Sequence, residues 1–379
     1  MNKTSLTNHY TVIIIAITSL LITIAMGINI VLFPVILKEN NISEFYIGFS
    51  AVIDLLAGIL IAPYLGHISR KIPITRFTII FLITYSIIIL VIPFFIHYLV
   101  WLFYMVILGI FWFSFFTINN TILNHSISNK YRSLIISLNT TIICIGITIG
   151  SALVKIYGSN NYLLYIICSL CTITTAIIFI TTLSKITITI PETINNKISY
   201  FLKKRPDIFL GKFFQEYITT TIFVFIVIYG INNGISAENA ALIISFYTLS
   251  TIFDILIGYL SDQIRPLRLL NHSIISATII MFCIYYFADQ YYILLLLAFL
   301  LGITIGYMYI NCNSALNSYF SKKELINANS CYAMSGSFGG IFASLITGFL
   351  LQYFGNIGIF LPVMFISICY FLIIRTKSS

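Results

Sequence analysis

Long apolar stretches, broken by short polar ones, run through the whole chain. Segments at about 11–37, 46–66, 75–96, 98–123, 134–156, 160–182, 208–231, 238–260, 269–288, 291–316, 327–351 and 353–374 are each long enough to cross about 30 Å of hydrocarbon as a helix. The pattern predicts twelve transmembrane helices joined by short loops. The one wider break, 183–207, carries Lys185, Pro191, Glu192, Lys197, Lys203, Lys204, Arg205 and Asp207. It reads as a central cytoplasmic linker between a bundle over 1–182 and another over 208–379.

Composition removes the soluble alternatives. Of 379 residues, 59% are hydrophobic and only 8% charged, too few charges to give a core of this size a polar skin. The fold class expected is an all-α polytopic membrane protein of twelve transmembrane helices in two pseudo-symmetric six-helix bundles. The net charge of +9 follows from orientation. With both termini cytoplasmic, eighteen of the twenty Lys and Arg residues fall on the inner side, leaving Lys38 and Lys155 outside. These cations anchor loops against anionic lipid, and no concentrated basic domain exists to hold nucleic acid. The amino-terminal apolar stretch exceeds that of a leader peptide and reads as a retained first helix. The seven cysteines lie in or against apolar spans, so C-S-L-C at 168–171 reads as packing, with no metal or other cofactor expected.

The two halves repeat. Gly109, Asn120 and Asn124 in the fourth span match Gly302, Asn313 and Asn317 in the tenth at a shift of 193, within LGI-x9-N-x2-LN. GHISRKIP at 66–73 and GYLSDQIRP at 258–266 match at a shift of 192. Two near-equal shifts imply duplicated six-helix units, the arrangement of carriers whose site lies between repeats near mid-membrane.

On these residues the chain resembles the major facilitator superfamily, in its efflux-type and sugar- or drug-transporter-like branches. That family carries G-x-L-x-D-R-x-G-R-R after the second helix, with a weaker copy after the eighth. Here Gly258, Leu260 and Asp262 match the second copy, Arg265 takes a glycine's place, and Arg268 supplies a downstream cation. The first copy keeps Gly66 and Lys71, but Arg70 replaces the aspartate and Pro73 the glycine. The resemblance implies a loop latch, with Arg70 inverting the charge in its first copy. Met105 stands where proton-coupled exporters carry a fourth-helix arginine, and Ser151 replaces the proline of the antiporter glycine-proline motif. Both departures speak against drug–proton antiport.

Polar groups inside the spans are the candidates for chemistry, because charge in hydrocarbon is costly and has a partner or a task. Asp54 lies near the middle of the second span without a basic neighbour within one turn, which suits a group that takes up and releases a proton. Glu216 has Lys212 one turn before it, so it is either a second coupling group or half of a local ion pair. Asp254 lies on one face with Gly258 and Asp262 and reads as a gate residue. Asn119, Asn120, Tyr307, Asn311 and Asn313, together with Asn29 and Asn139, are candidates for a solute cavity; they serve equally as bonds between helices. No G-x4-G-K-S/T sequence is present, and the five histidines are scattered.

The leading reading is a non-enzymatic secondary transporter of a small solute, with the proton as candidate co-substrate. It works by alternating access, as a monomer, in a bacterial inner membrane. The alternatives are a uniporter without ion coupling and a non-transporting sensor on a carrier frame.

Overall fold

A computed structural model describes residues 3–71, 74–95, 97–126, 132–183, 198–254, 266–320 and 324–378. Helices account for nearly all of them, as expected of apolar segments that must satisfy their own backbone groups in lipid. The first six are α1 (Lys3–Glu39), α2 (Glu44–Lys71), α3 (Ile74–Val91), α4 (Tyr98–Ser126), α5 (Arg132–Tyr157) and α6 (Leu163–Ile178), which runs on through a π-turn at Phe179–Leu183. A linker helix, Ile198–Lys204, precedes α7 (Pro206–Asn232). The rest are α8 (Ala237–Leu249), continued by a 3-10 turn at Ser250–Phe253, then α9 (Pro266–Tyr286), α10 (Tyr291–Tyr319), α11 (Leu325–Phe354) and α12 (Leu361–Ser378). Among the described residues ten helices are long and apolar enough to cross a membrane, and α8 and α12 supply two shorter apolar ones.

Helix ends follow local chemistry. Pro206 opens α7, where a missing N–H costs nothing, and the Ser236 side chain caps α8 by accepting from the Asn239 N–H at 3.3 Å. The sequence places the boundary between the last two spans at 352. The structure carries α11 on to Phe354, where Gly355 at φ +66° ends it, and a 3-10 turn through Ile359 delays α12 to Leu361. A left-handed φ suits glycine, so one residue fixes that stop.

Contacts divide the chain into two compact units. One comprises Met1–Phe33 and Ile53–Glu192, the other Pro34–Val52 and Thr193–Ser379. This differs from a plain cut in the linker in one respect: the α1–α2 turn clusters with the second unit. There Gly48 approaches α11 so closely that a Cβ would lie 2.0 Å from the Ser344 carbonyl oxygen, and the Phe45 N–H donates to the Gln352 side chain at 3.4 Å.

The same helix pairings recur inside each unit. In the first, a Cβ on Gly109 of α4 would lie 1.9 Å from the Asp54 carbonyl oxygen of α2. In the second, a Cβ on Gly302 of α10 would lie 2.1 Å from the Tyr247 carbonyl oxygen of α8. Both residues of the second contact stand 193 positions after their counterparts. The pairing of α1 with α5 at Leu20 and Gly146 returns at the same offset as α7 with α11 at Phe213 and Gly339. Ser86 and Ser169 join α3 to α6 at 2.6 Å, and Tyr370 joins α12 to α9 through Asn271 at 2.9 Å. The architecture is all-α, built from two pseudo-symmetric six-helix bundles. Small residues at the crossings let backbones meet where lipid offers no hydrophobic drive for helix association.

The linker helix docks on the second unit through polar ends. Lys204 Nζ donates to Glu324 at 2.8 Å, while Arg205 pairs with Asp207 at 2.6 Å and stacks over the Tyr319 ring at 3.5 Å.

Candidate functional site

Among the described residues one charged residue is buried as a whole, Lys212, at 7% exposure in the first half of α7. Its ammonium pairs with Glu216 one turn on and donates to the Gln215 side-chain oxygen at 2.8 Å. The remaining faces of the cation are covered by rings. Tyr309 of α10 and Tyr332 of α11 each present a face whose centroid lies 5.2 Å from the nitrogen. Each cation–ring contact contributes on the order of 1 kcal/mol, more where water is excluded. Gly336 of α11 makes the slot for this pair, since a Cβ there would lie 2.8 Å from Lys212 Cε and 2.9 Å from Glu216 Cγ. Removing Glu216 would strand the buried ammonium of Lys212 without its counter-charge, a destabilising change.

The cage has a counterpart in the first repeat. Positions 212, 312 and 332 stand 193 after Ser19, Asn119 and Asn139. Those three form a neutral knot: Asn119 Nδ2 donates to Ser19 Oγ at 2.7 Å, and Ser19 Oγ donates to Asn139 Oδ1 at 3.1 Å. All three are buried, so this knot joins α1, α4 and α5 within the unit. The second repeat holds Lys212, Cys312 and Tyr332 at the same crossing. Cys312 is fully buried, and its thiol lies beside the Tyr332 hydroxyl.

Asn29 belongs to a second buried knot in the first unit. Its Nδ2 donates to the Tyr85 hydroxyl at 2.5 Å and to the Ala25 carbonyl at 2.8 Å, and its Oδ1 accepts from the Tyr104 hydroxyl at 3.2 Å. On α10, Asn311 is fully buried and donates to the Tyr307 carbonyl at 2.7 Å. Asn313 donates to the Tyr309 carbonyl at 3.1 Å and stays half-buried, as does Tyr307. Its repeat equivalent, Asn120, is exposed.

Two carboxylates stand apart from these knots. Asp54 Oδ1 and Asp254 Oδ1 are buried and have no hydrogen-bond partner among the described residues. The Asp54 backbone forms the Gly109 crossing, whereas at Asp254 the carboxylate itself meets the neighbouring helix, a Cβ on Gly306 lying 2.1 Å from Oδ1. A carboxylate oxygen buried without a donor is expensive, and proton uptake lowers that cost. Of the loop-motif positions, Gly258, Asp262 and Arg265 lie outside the described residues, and Gly66, Arg70 and Lys71 outside the described side chains. Arg268 is exposed in the first turn of α9.

Spacing along the chain pairs Lys212 with Glu216, but leaves Tyr309 and Tyr332 unconnected to them. The ring partners come from other helices, and their only trace in the sequence is the 193-residue offset and the glycine-rich run Ser335–Gly340.

A family model described as Major Facilitator Superfamily matches residues 15–197 and 208–378. No curated protein sequence matches the chain. Among solved structures, the nucleoside transporter NupG is similar at 13% identity and TM-score 0.79, over 97% of this chain and 99% of that one. A point mutant of NupG gives a TM-score of 0.80 at 13% identity, over 95% of this chain and 98% of that one. A bacterial homolog of the human lysosomal transporter Spinster, inward-facing and occupied, is similar at 15% identity and TM-score 0.71, over 97% of each chain.

Proposed function

The chain belongs to the Major Facilitator Superfamily and is a membrane-embedded secondary transporter of a small molecule that works by alternating access; from that premise we propose that the Lys212–Glu216 cage recognises its solute and that Asp54 carries a coupled proton. The observation that carries the first part is the burial of a cation, Lys212, ring-walled and paired with the half-buried Glu216, at a position where the first repeat keeps a neutral knot. Helix packing alone is served by the neutral version, so the charge in the second repeat has another task. Tyr307 and Asn313 of α10 keep accessible polar groups and extend the solute surface within the second unit, while Asn29, Asn119 and Asn139 bond helices of the first unit together. The absence of a hydrogen-bond partner for Asp54 Oδ1 among the described residues supports the coupling role, and the same property at Asp254 supports a gate.

The bundles operate as 1–182 and 208–379 about the linker 183–207, in a monomer with both termini cytoplasmic, in a bacterial inner membrane. The basic residues clustered in alternate loops support that orientation.

Uptake of labelled solutes into proteoliposomes, with a pH-sensitive dye inside, tests both roles. NupG is a nucleoside transporter, so nucleosides come first in the screen, followed by sugars, amino acids and cationic drugs. Glu216→Gln lowers uptake at least about tenfold, the effect of one charge-assisted hydrogen bond. Asp54→Asn leaves downhill uptake standing and removes the solute-driven pH change. Coupling unchanged in Asp54→Asn rules out the proton role, and a wild type that moves solute without any pH change is a uniporter.

A further inference from the structure

We infer that the solute is uncharged and rich in hydroxyl or amide donors, and that it is read by the open oxygen of Glu216 against the face of Tyr309, with Lys212 as the positioning residue. This rests on the reading of the cage as the solute site.

Lys212 is nearly enclosed: it donates to Glu216 Oε1 and to Gln215 Oε1, the rings of Tyr309 and Tyr332 flank its nitrogen, and its side chain is only 9% exposed. Glu216 uses only Oε1, so its second oxygen has no partner among the described residues, and its side chain is 30% exposed. Tyr309 is 39% exposed, whereas Tyr332 is 6% exposed and walled in. A visiting molecule therefore meets a carboxylate oxygen that accepts and an aromatic face that stacks, while the cation is out of reach behind them.

Charge then selects the class. Lys212 and Glu216 sum to zero, so the cage neither attracts nor compensates a net charge brought into a low-dielectric site. An anion meets the open carboxylate first. A cation is drawn to that oxygen but sits against the neighbouring ammonium. A neutral molecule carrying O–H or N–H groups satisfies the open acceptor without adding charge. The carboxylate also needs water or a solute at its exposed oxygen, since an ion on a lipid-facing side would be strongly disfavoured. Lys212 touches no solute in this arrangement. It cancels the charge of Glu216 and fixes which oxygen stays open.

The test is ligand binding to the purified full-length protein in detergent, read as a shift in thermal unfolding and repeated on Glu216→Gln, Tyr309→Leu and Lys212→Met. The panel holds uridine, glucose and myo-inositol as neutral donors, choline and spermidine as cations, and lactate and gluconate as anions. At least one neutral compound is expected to stabilise the wild type, with affinity falling roughly tenfold in Glu216→Gln and in Tyr309→Leu. Tyr309→Leu changes a half-open wall and keeps both charged partners of the Lys212–Glu216 pair, so it reports even where Glu216→Gln folds poorly. Lys212→Met leaves the carboxylate uncompensated and is expected to lose the neutral ligand while binding choline at least tenfold more tightly than the wild type does, a change of preference that loss of packing would not produce. A choline, spermidine, lactate or gluconate shift in the wild type that depends on Glu216 overturns the inference and leaves the cage as the solute site. A panel in which no compound depends on Glu216 or Tyr309 overturns both.

Discussion

At the level of single residues, the chain separates polar groups that bond helices from those left open. Asn29, Asn119 and Asn139 spend their hydrogen bonds inside the first unit. Asn29→Ala is expected to destabilise the protein by about 1–3 kcal/mol, because the Tyr85 and Tyr104 hydroxyls lose a buried partner. The midpoint of thermal unfolding checks it. Asp54→Asn is expected to move that midpoint little, since no hydrogen bond to Oδ1 is lost among the described residues, and to act on coupling instead. The sequence reveals both acids, because charge in an apolar run stands out. It does not reveal the fate of the amides, since whether an asparagine in a helix faces a knot or a cavity depends on neighbours far along the chain. Lys212 counts, by sequence, among the inner-side cations; its burial between Tyr309 and Tyr332 arises only when α7, α10 and α11 meet.

At the level of helices, the glycines carry the duplication. Gly109 and Gly302 admit a carbonyl oxygen from α2 and α8 at nearly the same distance from where a Cβ would be, 1.9 and 2.1 Å. Neither neighbour can move as a side chain would, because both contacts are backbone. Gly109→Ala and Gly302→Ala are each expected to cost about 1–3 kcal/mol by forcing the helices apart, with similar losses in the two repeats. Differing losses, by more than about a factor of two, would mean that the crossings are not equivalent. Most helix ends were legible from apolar run length to within a few residues; α1 starts at Lys3, ahead of the apolar run that begins at 11, and α12 starts only at Leu361. The second difference has a cause, Gly355, whose left-handed backbone stops α11, while apolar character continues past it. The 193-residue offset was legible from one motif, and the contacts of Leu20 with Gly146 and of Phe213 with Gly339, outside that motif, now carry it independently.

At the level of the whole molecule, charge distribution and repeat pattern determine what can be checked from outside. Single cysteines placed at Lys155 and Lys204 in a cysteine-free background are expected to label from opposite sides of the membrane, Lys155 from outside and Lys204 from inside. Labelling of both from one side would overturn the orientation. Whether the second repeat reads the solute through its charged cage is tested by changing one residue of that cage and one residue of the neutral knot in the first repeat. Solute counterflow into proteoliposomes is measured for the wild type, Glu216→Gln and Ser19→Ala, the last altering the position that corresponds to Lys212, with rates normalised to folded protein. Glu216→Gln is expected to lose at least about tenfold and Ser19→Ala to stay within about twofold of wild type. Wild-type counterflow in Glu216→Gln, or an equal loss in Ser19→Ala, would contradict the cage as the solute site.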